Sequence, residues 1–182
     1  MDQSKIAKVG GLLVLISGLA LGYSYISHPH HMTPEMIGST AWVVIHILFA
    51  ISLILGLMGT TALYALTSLR IGRSGLIGYL LLFPGMMMIF GLNYYEVFIA
   101  PHLAIHYPEV IQETGAGDAM GWVALAFPVA GLFTVIGYAL LGWAWKRATV
   151  LPRWVAIGLV VSSIAFGIGL SPLGGLILAR IT

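Results

Sequence analysis

His28, His30 and His31 stand within four residues of one another in the stretch ISHPHHMTPEM, His46 lies in the apolar run TAWVVIHILFAI, and His102 and His106 are spaced i, i+4 in APHLAIHYPEV. These are all six histidines of the chain. Imidazole titrates near neutral pH and is the commonest transition-metal ligand, so the set can bind a metal ion, ligate haem or move protons. The chain has no cysteine, which excludes disulfides, thiolate ligands and thiol redox chemistry. Carboxylates stand close to the histidines at Glu35, Glu96 and Glu109.

His46 needs the most explanation, because an ionisable group inside an apolar helix costs a few kcal/mol unless it is partnered. In GLNYYEVFIAPH, Asn93 and Glu96 are one helical turn apart and, counted at about 1.5 Å per residue, reach the depth of His46. A cluster of His46, Asn93 and Glu96 is geometrically allowed, with Tyr94 or Tyr95 nearby. The bland readings are a neutral imidazole hydrogen-bonded between helices and a Glu96 side chain reaching out to water.

His102, His106, Glu109 and Glu113 follow the spacing of one helical face. Pro108 interrupts that face and predicts one short helix from Pro101 and another from Pro108. In the first cluster, Thr33-Pro34-Glu35 reads as an N-cap, an N1 proline and a first-turn carboxylate opening the second long apolar run. His28, His30 and His31 then become secondary ligands or lids over His46. No phosphate-binding loop, zinc-protease motif or nucleophile elbow is present, so a hydrolase is not expected.

The elements that must carry these side chains follow from composition. Hydrophobic residues make up 59% of the 182, and charged residues only 8%, against roughly 25% in an ordinary soluble domain. Uncharged runs long enough to cross a hydrocarbon core of about 30 Å recur near 9–27, 38–66, 75–100, 119–144 and 154–178. Their continuity favours helices over alternating barrel strands. The expectation is an all-α integral membrane protein, one transmembrane domain over 1–182 built as a five-transmembrane-helix bundle.

Lys5, Lys8, Arg70, Arg73, Lys146, Arg147 and Arg153 fall on one side of that arrangement, with Arg180 alone on the other. The positive-inside rule makes that side cytoplasmic, with the N-terminus inside and the C-terminus outside. All six histidines then fall towards the outer face. RIGRSG at 70–75 and KRATVLPR at 146–153 read as short turns joining antiparallel neighbours. Gly10, Gly11, Gly18, Gly22, Gly56 and Gly59 read as small-residue packing positions, and Pro84 and Pro128 as kinks. Trp42, Trp122, Trp143, Trp145 and Trp154, near the span ends, read as an interfacial aromatic belt.

The function expected from these residues is an outer-face His/Glu site holding haem b or a transition metal such as iron, zinc, copper or manganese, serving electron transfer or a redox complex. His28, His30, His31, His46, His102 and His106 are the candidate cofactor ligands, and Glu96 and Glu109 join His46, His102 and His106 for a non-haem metal. Asn93, Tyr94, Tyr95 and Glu35 are the supporting polar groups. The alternative from another class is a cofactor-free accessory subunit of a larger respiratory or photosynthetic complex, docking through Gly-rich helix faces. A small transporter or pH sensor is the third. The partners expected are the lipid bilayer, in a plasma membrane of prokaryotic type, and other membrane subunits; no basic groove interleaved with aromatics suggests nucleic acid.

Overall fold

The computed structural model describes residues 2–29, 32–114 and 123–169, and among them every regular element is a helix. The order is α1 (Gln3–Ile26), α2 (Pro34–Ile37), α3 (Thr40–Phe98), α4 (Ala100–His106), α5 (Pro108–Thr114), α6 (Val123–Arg147) and α7 (Arg153–Gly169). Among the described residues, three helical stretches are long and apolar enough to cross a membrane: Gln3–Ile26, Thr40–His106 and Leu125–Arg147.

Several starts and stops obey local rules. Asp2 caps α1 by accepting from the Ser4 amide at 3.1 Å. Thr33 caps α2 through the Met36 amide, with Pro34 in the first turn. The Thr-Pro-Glu signal opens only this four-residue helix, however. The long helix begins afresh at Thr40, where Ser39 accepts from the Trp42 amide at 3.2 Å. The prolines at 101 and 108 stand in the first turns of α4 and α5, as their fixed φ favours.

The 59 residues of α3 hide a reversal. Gly72 has φ 61° and ψ −159°, a conformation essentially confined to glycine, so the RIGRSG turn shrinks to one non-helical residue between arms 40–71 and 73–98. Pro84 and Pro128 both lie inside helices, and Gly72 is the one non-helical residue within α3.

By its internal contacts the chain forms two compact units, Met1–Leu63 with Ile89–Ala126, and Tyr64–Met88 with Phe127–Thr182. In the first, α1 runs antiparallel to the start of α3. A Cβ on Gly59 would come within 2.6 Å of the Gly10 carbonyl oxygen, and the Ser17 hydroxyl donates to the Ser52 carbonyl at 2.7 Å. Such an interhelical bond is worth about 0.6 kcal/mol in a membrane, so close backbone packing carries more of this contact. Gly11, Gly18 and Gly22 do not belong to it, since a Cβ on any of them would meet nothing within 4 Å. Spacing alone assigned them to packing; their helix turns them elsewhere. Short helices close this unit, with Ile37, Trp42, Ala100, Ala104 and Ile111 forming one buried cluster against Tyr95 and Leu103.

In the second unit, Tyr64 and Tyr79 stack at 4.2 Å with planes 4° apart, pairing the two arms near their reversal. The second arm packs tightly on α6: a Cβ on Gly137 would lie 2.6 Å from the Leu82 amide, and one on Gly85 would lie 2.7 Å from the Thr134 amide. Trp145 is buried and donates from its indole to the Thr67 hydroxyl at 2.9 Å. Gly142 meets Ala156 and Val160 of α7, so α6 and α7 are neighbours across the turn at 148–152.

Candidate functional site

The first arm of α3 places Trp42 and His46 one turn apart on the same face, and that face is buried. Trp42 is 1% exposed and His46 4%. The Trp42 indole donates to the Glu96 carbonyl of the second arm at 3.0 Å, tying the two arms together. Its ring lies 4.3 Å from the His46 ring, tilted by 31°. The interfacial-belt reading of Trp42 and Trp145 is therefore wrong, because both rings are core and both indole N–H groups have internal acceptors. Trp143 and Trp154 are exposed, as a belt requires.

His46 Nδ1 lies 2.8 Å from the Trp42 carbonyl oxygen. A carbonyl only accepts, so Nδ1 carries a proton, and in the neutral ring Nε2 has the lone pair. The backbone carbonyl of His46 accepts from Asn93 Nδ2 at 2.9 Å. Asn93 is 3% exposed, and its Oδ1 is buried with no hydrogen-bond partner among the described residues. A buried acceptor without a donor costs about 1–3 kcal/mol, which a water, a proton donor or a cation would relieve.

His28, just past the C-terminal end of α1, completes the group. Its ring stands 5.2 Å from that of Trp42 and 5.2 Å from that of His46, with planes 61° and 74° apart. Its Nδ1 is 2.9 Å from the Pro29 carbonyl oxygen, so here too Nδ1 donates, and in the neutral ring the lone pair is on Nε2. Metal-binding histidines commonly have their second ring nitrogen held by a carbonyl or carboxylate in this way. With metal–nitrogen bonds of about 2.05 Å, two imidazoles on one tetrahedral ion have ring centroids about 5.2 Å apart, whereas two on opposite faces of a haem iron need about 6.4 Å. The observed separation matches the former value and is equally that of an edge-to-face ring contact.

The other candidates fall elsewhere. Glu96 contributes its backbone carbonyl to Trp42. Tyr95 packs against the buried cluster, while Tyr94 is exposed, its ring 4.7 Å from that of Phe98 and tilted by 44°. The rings of His102 and His106 lie 4.5 Å apart, tilted by 48°, along the exposed face of α4, and Glu109 is exposed on α5. Among the described residues no three histidine, aspartate or glutamate side chains are grouped to hold a metal ion, so His46, Glu96, His102, His106 and Glu109 do not assemble into one ligand set there. Glu35 serves the cap of α2: its hydrogen bonds with the backbone and the Thr33 hydroxyl hold its carboxyl below the usual carboxylate range. His30 and His31 lie outside the described residues.

Trp42 is the member of this buried cluster that the sequence placed at the interface instead. Its signal was present in the Trp-x-x-x-His spacing, which puts a carbonyl and an indole one turn before the imidazole. Comparison with known proteins adds nothing to this site, since no family model, characterised protein or solved structure matches the chain.

Proposed function

We propose that this is a multi-pass membrane protein that binds one divalent transition-metal ion between His28 and His46 near its outer face, in the service of electron transfer or a redox complex. The observation that carries the reading is the pair of imidazoles 5.2 Å apart, each with Nδ1 occupied by a backbone carbonyl. Asn93, bonded to the His46 carbonyl, carries a buried acceptor, Oδ1, that has no partner among the described residues. Water fills the remaining positions. The five crossings are α1, the two arms of α3, α6 and α7, with the basic turns in the cytoplasm.

The test is metal uptake by the detergent-purified full chain, followed by elemental analysis and, with Co(II), by its visible spectrum. One ion per chain and a tetrahedral cobalt spectrum are expected. His28→Ala and His46→Ala should each weaken binding at least tenfold, whereas His102→Ala should leave it unchanged. A folded protein that takes up no ion sinks the reading. Retention of the ion in both His28→Ala and His46→Ala sinks it as well. A Soret band that shifts with dithionite would replace the metal with haem. A colourless, metal-free chain that co-purifies with stoichiometric membrane partners would make it an accessory subunit.

A further inference from the structure

The second unit holds a cavity of about 250 Å³ where the reversal of α3 meets the end of α6. Arg70, Gly72, Arg73, Ser74, Arg147 and Ala148 line most of it. Arg70, Arg73 and Arg147 are three of its lining residues, Arg70 donates to the Ala148 carbonyl oxygen at 3.4 Å, and no acidic residue lines it among the described residues. Like charges so placed repel one another unless an anion lies between them. Helix-dipole neutralisation accounts for Arg70 and Arg147, which stand at C-terminal helix ends. It does not account for Arg73, which opens the second arm at an N-terminal end where negative charge is favoured.

The pocket is open to its surroundings, and several arginines around one such depression are the recognition chemistry of phosphate. The surroundings choose its source. Leu69, next to Arg70, is 100% exposed, and Trp143, one turn before Arg147, is 48% exposed with the Lys146 ammonium 4.6 Å from its ring centroid. Exposed apolar side chains beside a basic cavity suit an amphiphile, with its phosphate inside and its chains along Leu69 and Trp143. We propose that this cavity binds the phosphate headgroup of an anionic phospholipid. The inference stands apart from the histidine site and rests on the membrane reading alone.

Native mass spectrometry of the detergent-purified full chain tests it, with phosphatidylglycerol, phosphatidylcholine and inorganic phosphate as probes. Phosphatidylglycerol should bind at least tenfold more tightly than phosphatidylcholine, and inorganic phosphate at millimolar concentration should not displace it. Each arginine removed should weaken phosphatidylglycerol about fivefold. Arg73→Gln with Arg147→Gln should therefore bring it close to phosphatidylcholine, while Arg73→Lys with Arg147→Lys keeps much of the preference and controls for folding. Equal binding of the two lipids would overturn the proposal, and so would an undiminished preference in the glutamine double variant. Displacement by inorganic phosphate would reassign the cavity to a soluble phosphate.

Discussion

The histidine cluster of the first unit and the arginine cavity of the second offer opposite chemistry by opposite means. Around His46 the side chains are buried or, for His28, half-buried, the ring Nδ1–H groups are bonded to carbonyls, and what remains in the neutral rings is lone pairs: two imidazole Nε2 atoms and Asn93 Oδ1. Around Gly72 the arginines are exposed, carry only donors and keep their charge at every physiological pH. A group that must be neutral to act can be buried in apolar surroundings; a permanent cation cannot, and it collects where water or a headgroup can reach it. The contrast teaches that polar groups in so apolar a chain are sorted by whether they can shed charge.

Acid should separate the two regions most strongly. Metal binding needs both imidazoles deprotonated, so below the imidazole range, about 6.5 for the free side chain, affinity should fall up to about 100-fold per pH unit as two protons compete for one ion. Phosphatidylglycerol binding should stay within a factor of two over the same interval, because neither guanidinium nor phosphodiester titrates there. Equilibrium dialysis and native mass spectrometry from pH 7.5 to 5 measure both. A metal affinity falling by only one proton per ion would mean that a single histidine binds it.

The tryptophans offer a smaller, matched comparison. Trp42→Phe keeps an aromatic ring beside His46 but removes the donor to the Glu96 carbonyl, and Trp145→Phe removes the donor to the Thr67 hydroxyl. Each should cost about 1 kcal/mol of stability. Only Trp42→Phe should also weaken metal binding, by a few-fold, because the Trp42 ring packs against His46. An equal effect of both on metal affinity would show that the indole acts through general stability.

The smallest effect belongs to Glu35. Its carboxyl is held below its ordinary value by hydrogen bonds in the cap of α2, so the stabilisation is present above the unfolded carboxylate's pKa and is lost as pH falls through the lowered folded value. Glu35→Gln should remove that acid dependence from local amide exchange over residues 33–38 while leaving metal and lipid binding unchanged. An unaltered pH profile of exchange would show that the carboxylate contributes nothing to the cap.

Much of the local structure was legible because it depends on neighbours in sequence. Long uncharged runs must satisfy their own backbone in apolar surroundings and so become helices. Thr33, Pro34, Pro101 and Pro108 mark helix starts whatever the rest of the chain does. The meeting of His46 with Asn93 was also within reach, since residue count along an antiparallel pair sets their depth, and the Asn93 bond to the His46 carbonyl lies at that depth.

Rotation about each helix axis was not legible. In a soluble helix the polar face declares which side points outward, but these helices are apolar all round and carry no such mark. Only packing decided that Trp42 and Trp145 face inward while Trp143 and Trp154 do not, and that Gly10 and Gly59 meet while Gly11, Gly18 and Gly22 meet nothing. The same packing chose His28, rather than the helical pair His102 and His106, as the neighbour of His46. It also left one Gly-only backbone conformation at residue 72 to bring Arg70, Arg73 and Arg147 around a common cavity. The sequence by itself determined helices and the placing of charge along them; the tertiary structure decided which faces meet, because close packing between apolar surfaces depends on shape and leaves no periodic trace in composition.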